Sequence, residues 1–103
     1  MKRRNEQVYQ PEEIKQIVAP IAARYGVKRL YLFGSYARGD NSESSDIDFR
    51  IEKGRVKGLQ MAFLHDELED ALHRPVDLLS TGALNEAFLA SIRKEEKLLY
   101  EQS

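Results

Sequence analysis

The sequence contains no cysteine and no tryptophan among its 103 residues. Without cysteine the chain forms no disulfide and no thiolate metal site, and a reducing compartment fits this composition. No stretch approaches the roughly 20 consecutive apolar residues that span a bilayer. The first residues, MKRRNEQVYQ, are basic but lack the apolar segment of a signal peptide. We therefore expect a cytoplasmic protein without a membrane partner.

An excess of charge of one sign is also missing, because the formal net charge is −1. Without a basic excess there is no overall electrostatic attraction to nucleic acid, so no direct nucleic-acid partner is expected. The length allows one domain. We predict a flexible arm over residues 1–9 and a single domain over residues 10–103.

The pattern of apolar residues predicts helices that alternate with short strands. Pro20 lies inside the first helix and is expected to kink or split it. Residues 97–101 either extend the last helix or form an edge strand. The predicted helices cover residues 10–26, 59–72 and 82–95, and the predicted strands cover residues 27–33, 45–52 and 74–80. This order predicts an α+β (α/β) domain, a small sheet covered mainly on one face by helices.

Two acids interrupt the second predicted strand. In SDIDFRIE, Asp46 and Asp48 alternate with apolar residues, so both side chains point to the same face. Acids are tolerated on a solvated strand face, and the pair alone does not distinguish that case from a metal site. Mg²⁺ is typically held by one or two carboxylates together with substrate phosphates, which makes a metal site the sharper hypothesis.

A Gly-Ser pair, Gly34 and Ser35, ends the first predicted strand. The following SYARG could wind into the start of a helix, where backbone N–H groups and a hydroxyl suit a phosphate. Taken alone, the pair is better explained as an ordinary turn with an N-cap. A phosphate cradle next to a cation site is what nucleotidyl transfer requires.

The stretch GSYARGDNSESSDIDF resembles the G-S-x10-D-x-D signature of the DNA polymerase β-like nucleotidyltransferases. The longer match, G-S-x-A-R-G followed by S-D-I-D, is similar to the minimal nucleotidyltransferase (MNT) family. A third family carboxylate usually stands in a V-D-L context, which PVDLLS supplies as Asp77. The resemblance covers roughly residues 12–100. It implies the polymerase β-like fold, a small mixed sheet with helices packed on it.

The resemblance also implies roles for individual residues. Gly34 and Ser35 would hold the β- and γ-phosphates of a nucleoside triphosphate. Asp46 and Asp48 would bind Mg²⁺, expected as two ions, while Asp77 would complete one metal site and help to deprotonate the attacking hydroxyl. Arg38 matches the family arginine, which steadies the turn or contacts phosphate; a solvated or salt-bridged arginine is the alternative.

The function implied is a Mg²⁺-dependent transfer of NMP, in the first place AMP from ATP, to a hydroxyl. MNT proteins of this kind are often encoded beside a HEPN-domain ribonuclease toxin, and the resemblance implies an antitoxin that adenylylates a tyrosine of that partner. Two alternatives stay open: a binding antitoxin that occludes its partner without catalysis, and a small-molecule transferase of the aminoglycoside kind. The oligomeric state is also open, with a homodimer or hetero-oligomer as the possibilities.

Four further positions need a structural answer. Arg50 shares the strand face of the two acids, where it could neutralise a carboxylate, serve phosphate or face water. His65 and His73 are interpreted as surface or boundary residues, because two histidines alone make a poor metal site. The tyrosines are interpreted as packing residues. Tyr36 is the exception to examine, because it lies in the turn that would hold phosphate.

Overall fold

The computed structural model describes residues 9–103. Residues 1–8 of the predicted arm lie outside the described residues. None of the helices in the described part combines the length and apolar character needed to cross a membrane. The elements are α1 (Pro11–Tyr25), β1 (Arg29–Phe33), α2 (Ser35–Arg38), β2 (Ile47–Glu52), α3 (Leu59–Leu72), β3 (Val76–Ser80), a 3₁₀ turn (Thr81–Ala83), α4 (Glu86–Arg93) and β4 (Lys97–Glu101).

The four strands form one mixed sheet in the order β3-β2-β1-β4. Strand β1 runs antiparallel to both β2 and β4, whereas β2 and β3 are parallel. The segment 97–101 is therefore an edge strand and not an extension of the last helix. These pairings confirm the predicted small mixed sheet.

The core lies on one face of this sheet. Strand alternation puts one set of side chains from β1 and β2 on that face, and α1 and α3 cover it with their apolar stripes. The completely buried residues there include Leu30, Leu32, Ile47, Phe49 and Ile51 from the strands and Ile14, Val18, Leu64 and Leu68 from the helices. The opposite face carries Asp48 and Arg50, as the alternation predicts.

Helix α1 runs without interruption through Pro20, so of the two effects expected of this proline, a kink or a split, the split does not occur. A proline inside a helix removes one backbone hydrogen bond to the carbonyl four residues earlier, here that of Gln16. Both residues are exposed, so water can hydrate that carbonyl. Burial of Ile14, Val18 and Ile21 on the other side of the helix holds it together. The helix ends at Gly26, as predicted, in a left-handed conformation with φ of 75°.

The last helix is shorter than its sequence pattern indicated. Helix α4 begins at Glu86, where the side chain of Asn85 accepts a 2.8 Å hydrogen bond from the Phe88 N–H. Asparagine is among the preferred N-cap residues because its side-chain oxygen satisfies a free N–H of the first turn. The preceding Thr81–Ala83 forms a 3₁₀ turn instead.

Arg50 is buried on the second face of the sheet, only 1% exposed. Its guanidinium donates to both carboxylate oxygens of Glu96, at 2.9 and 2.7 Å, and to Thr81 Oγ1 at 2.9 Å. It also lies 4.0 Å from the centre of the Tyr31 ring. The possibility that Arg50 faces water is therefore wrong. This two-point ion pair joins the centre of the sheet to the turn between α4 and β4.

The ion pair should matter for stability because it is buried. We expect Glu96→Ala to lower the free energy of unfolding by about 2–4 kcal/mol, since it leaves a buried guanidinium with less compensation. Glu101 is the matched control: it pairs with Arg29 on the same sheet at 2.9 Å, but its side chain is 49% exposed. Glu101→Ala should cost at most about 1 kcal/mol in urea unfolding. Equal losses for the two variants would contradict this assignment.

Candidate active site

The strand register gathers the predicted site residues at one end of the sheet. Phe33, the last residue of β1, pairs with Asp48 of β2, and Asp48 pairs in turn with Asp77 of β3. Gly34 follows Phe33 directly. Asp46 immediately precedes β2 and is exposed. The structure therefore brings the glycine turn and the three predicted carboxylates to the same end of the sheet.

Gly34 is packed against the Asp48 side chain. A Cβ atom at this position would collide with the Asp48 carboxylate, coming within 3.1 Å of its Cγ. The backbone of Gly34 also adopts φ of 76°, a region that side-chain-bearing residues rarely occupy. Glycine is thus required for two reasons, and its bare backbone leaves the carboxylate of Asp48 in contact with the turn.

Asp48 is electrostatically unusual. Burial, followed by the negative charges of Asp77 and Asp46, raises the pKa of Asp48 to about 6. Asp77 is exposed, as is Asp46. Within the described residues, the ligand oxygens of these three acids do not all lie within 4.8 Å of one another. The three carboxylates repel one another, and a bound cation would reduce that repulsion.

Helix α2 follows the glycine directly, as predicted for SYARG. Gly34 holds the N-cap position, and Ser35 is the first helical residue. The Ser35 hydroxyl therefore does not cap the helix, and it makes no hydrogen bond within residues 9–103. Tyr36 points into the core and is 1% exposed, which removes it from the candidate site.

Arg38 and Glu95 complete this end of the molecule. The Arg38 guanidinium donates to Asp40 at 3.1 Å and to the two Glu95 oxygens at 3.2 and 3.1 Å. The Glu95 carboxylate also accepts a 2.9 Å hydrogen bond from the Gly34 N–H. Arg38 is therefore salt-bridged in this structure. The donors expected to hold phosphate, Gly34 N–H and Arg38, already hold an anionic group.

An open cleft of about 560 Å³ lies over these residues. Asp77 belongs to the neighbouring strand, β3, and does not line this cleft. The second face of the sheet and α4 form its apolar side, where the Phe33 and Phe88 rings meet edge to face with centroids 6.1 Å apart. The cleft is lined by Phe33, Gly34, Ser35, Arg38, Ser44, Ser45, Asp46, Asp48, Phe88, Ser91, Ile92 and Glu95.

Arg50 does not reach the carboxylates of the site. Its guanidinium is directed to Glu96, with Glu52 at 3.5 Å. Arg50 and Asp48 share a sheet face, and the sequence allowed this arginine to neutralise a site carboxylate. The contacts of Arg50 do not support that possibility. Glu95, by contrast, is a site residue that sequence reasoning missed. It stands in a Glu-Glu pair after the last helix, and no local pattern distinguishes it from its neighbour.

One other cluster has the composition of a metal site. His65, Asp66 and Glu69 place their ligand atoms within 4.8 Å of one another. The Val76 carbonyl can only accept, so His65 Nε2 donates to it at 2.9 Å, while Nδ1 lies 3.1 Å from Asp66. Burial opposes protonation, but the hydrogen bonds to Asp66 and Val76 raise the pKa of His65. Both ring nitrogens of His65 therefore already have partners within the chain, in the Val76 carbonyl and the Asp66 carboxylate.

Comparison with known proteins identifies the family of this chain. The family model for the polymerase beta nucleotidyltransferase domain matches residues 12–103. A candidate protein adenylyltransferase of Methanocaldococcus jannaschii is 43% identical over 74 residues, 71% of this chain and 80% of the relative. The protein adenylyltransferase MntA of Thermococcus cleftensis is 30% identical over 89 residues, 82% of this chain and 90% of the relative.

Solved structures show the same fold. The structure of a candidate minimal nucleotidyltransferase superposes with a TM-score of 0.75 at 29% identity, covering 86% of this chain and 95% of the other. A complex of an AMPylated Shewanella oneidensis HEPN toxin with an MNT antitoxin gives a TM-score of 0.68 at 19% identity, covering 90% and 74%. The match over nearly the whole chain, the identities and the superposition lead to one conclusion: the chain belongs to the polymerase β nucleotidyltransferase family and is a nucleotidyltransferase.

Proposed function

We propose that this protein transfers AMP from ATP, with Mg²⁺, to a hydroxyl of a HEPN-type partner protein and thereby acts as its antitoxin. The observation that carries the proposal is the meeting of two kinds of group at one end of the sheet. Anion-binding donors, Gly34 N–H and Arg38, face the same cleft as Asp46 and Asp48. Asp77 is the register partner of Asp48 on the next strand.

The donors fit a polyphosphate chain. Gly34 N–H and Arg38 already bind a carboxylate, and phosphate oxygens accept the same charge-assisted hydrogen bonds. The Ser35 hydroxyl lines the cleft beside them. These three groups would orient the β- and γ-phosphates, and the α-phosphate would then lie toward the carboxylates.

The carboxylates fit Mg²⁺ in chemical type and crowding. Hard carboxylate oxygens are its usual protein ligands. Burial, followed by the negative charges of Asp77 and Asp46, raises the pKa of Asp48, and a bound cation would favour its ionised form. Asp46, Asp48 and Asp77 would hold the ion or ions. When bound, Mg²⁺ supplies charge neutralisation at the phosphates and polarises the reacting oxygens.

The transfer needs a proton acceptor as well as positioning. The acceptor hydroxyl oxygen bonds to the α-phosphorus while the bond from that phosphorus to pyrophosphate breaks. The hydroxyl proton passes to a carboxylate, for which we assign Asp77, and pyrophosphate leaves with the electron pair of the broken bond. Asp77 suits this role because it is exposed next to Asp48, where an incoming hydroxyl can reach it.

The relatives support a protein acceptor. Two of them carry the name protein adenylyltransferase, and one superposing complex contains an AMPylated HEPN toxin with its MNT antitoxin. The cleft is open, so a partner surface could present a hydroxyl to it. Neutralisation of a site carboxylate by Arg50 would favour an occluding, non-catalytic antitoxin, but Arg50 pairs with Glu96 instead.

The first test separates function from stability at Asp48. We expect Asp48→Asn to weaken MgATP binding at least about tenfold, because it removes a metal-binding charge. The folded-state pKa of about 6 lies above that of an unfolded aspartate, about 3.9, so the ionised carboxylate destabilises the fold. The Tm gain of Asp48→Asn in EDTA should therefore grow from pH 4 to about 6 and persist above.

Calorimetry with MgATP and thermal unfolding at several pH values measure both effects. Asp70→Asn is the control, since Asp70 is an exposed acid on α3, away from the cleft. It should leave affinity and the pH profile of the Tm unchanged. Wild-type affinity in Asp48→Asn would contradict the metal assignment, and a Tm that falls at neutral pH would contradict the electrostatic one.

The second test concerns the turn. Ser35→Ala should weaken triphosphate binding by about 1.5–3 kcal/mol, the value of a hydrogen bond to a charged group. Its Tm should barely change, because the hydroxyl neither caps α2 nor bonds within residues 9–103. Ser91→Ala, which removes a hydroxyl elsewhere in the cleft, is the control and should bind normally. Unchanged affinity for Ser35→Ala would remove the hydroxyl from the phosphate site.

The third test concerns the transfer itself. Asp77→Asn should cut transfer sharply while triphosphate binding and partner docking stay largely intact, since its proposed role is exercised on the acceptor hydroxyl. Mass spectrometry of the HEPN-type partner after incubation with MgATP should show the addition of AMP with wild type and none with the variant. A partner that gains no mass, yet is neutralised equally by wild type and by an Asp46/Asp48/Asp77 triple variant, would identify an occluding antitoxin.

A further inference from the structure

Glu95 lies where a polyphosphate would have to lie. One of its oxygens accepts from the Gly34 N–H at 2.9 Å, and both accept from Arg38 Nη1 at 3.1 and 3.2 Å. Its side chain borders the cleft and is 26% exposed. The carboxylate therefore satisfies, from within the chain, two of the donors that the proposed function assigns to phosphate.

The backbone at Glu95 is held in place by its neighbour. The Glu96 carboxylate forms the two-point ion pair with Arg50, and the Glu96 side chain is 11% exposed. The Glu95 and Glu96 N–H groups both donate to the Ile92 carbonyl, at 3.0 and 2.9 Å. The turn after α4 is thus fixed, while the Glu95 side chain is bonded only through groups at the cleft. A rotation about its side-chain bonds would release Gly34 and Arg38 without moving the backbone.

We propose that Glu95 is an internal competitor for the polyphosphate site, displaced when a nucleoside triphosphate binds. This inference rests on the proposed function, since it takes Gly34 and Arg38 as phosphate donors. Glu95 presents one negative charge to these donors, whereas a triphosphate presents several. The triphosphate can therefore displace Glu95. Its affinity is lowered because the contacts of Glu95 are lost when it binds. Glu95 sets how tightly the site holds polyphosphate.

The arrangement around Arg38 provides a matched pair of variants. Asp40 and Glu95 are both carboxylates that accept from Arg38, but Glu95 alone also accepts from the Gly34 N–H. Glu95→Gln and Asp40→Asn each remove one negative charge next to the same guanidinium. A competitor at the phosphate site and a general charge effect on Arg38 therefore predict different outcomes for these variants.

Calorimetry with MgATP and with magnesium tripolyphosphate is the test. Glu95→Gln should bind both ligands roughly two- to tenfold more tightly than wild type, the range expected from weakening a half-exposed ion pair and a charged hydrogen bond. Asp40→Asn should change either affinity much less. The unliganded Glu95→Gln protein should also melt at a slightly lower temperature than wild type, because it loses contacts present without ligand.

Competition is distinguished from a structural role because it predicts that Glu95→Gln lowers the Tm but raises the affinity. If Glu95 only supported the cleft, Glu95→Gln would lower both the Tm and the affinity, and the inference would be overturned. Equal tightening in Asp40→Asn would overturn it as well, in favour of a general charge effect. Tripolyphosphate isolates the phosphate site from contacts with base and ribose.

The same titrations separate this inference from the proposed function. If wild type binds MgATP in a manner that depends on Ser35 and Asp48, but Glu95→Gln binds no more tightly, the competitor role alone fails. If neither protein binds MgATP or tripolyphosphate, both the competitor role and the proposed function fail.

Discussion

The register of the central strand β2 determines where every group of the site lies. Because β2 runs antiparallel to β1 and parallel to β3, the end of β1 and the starts of β2 and β3 meet at one end of the sheet. Gly34, Asp48 and Asp77 are brought together by this arrangement. A slip of one residue would turn Asp48 into the core and Phe49 out of it. Burial of Ile47, Phe49 and Ile51 thus fixes both the core and the chemistry.

The second face of the sheet keeps its charges in two separate groups. The site carboxylates lie toward the end of the sheet. The cation there is Arg38, which contacts Glu95, the carboxylate bonded to the glycine turn. Further along the same face, Arg50 is bound to Glu96 and Thr81. Since Arg50 is fully engaged there, its charge does not compensate Asp48, whose pKa stays raised. The fold accepts repulsion at the site that a more stable arrangement would remove, as functional sites often do.

Local patterns predicted much of this. The bounds of α3 follow from a periodicity of 3.6 residues, and the shared face of Asp48 and Arg50 follows from a periodicity of 2. The third strand follows from a short apolar run after Pro75. Elsewhere the structure depends on contacts between residues that are distant in sequence, which local patterns do not predict. The unbroken α1 depends on packing against α3 and β4, which outweighs the effect of Pro20. For residues 97–101 the sequence left a helix extension and an edge strand open, and pairing with the free edge of β1 decides for the strand.

Glu95 and Glu96 illustrate what a sequence does not contain. They are identical, adjacent and in the same turn, yet one carboxylate faces a buried arginine and the other faces an open cleft. Their difference arises from burial, because an ion pair gains strength where water is excluded and loses it where water and ligands compete. The buried pair holds the turn still, and that rigidity confines any exchange with a ligand to the side chain of Glu95. Two adjacent glutamates at the edge of a cleft thus have different roles. Glu96 fixes the backbone, and Glu95 provides the exchangeable carboxylate.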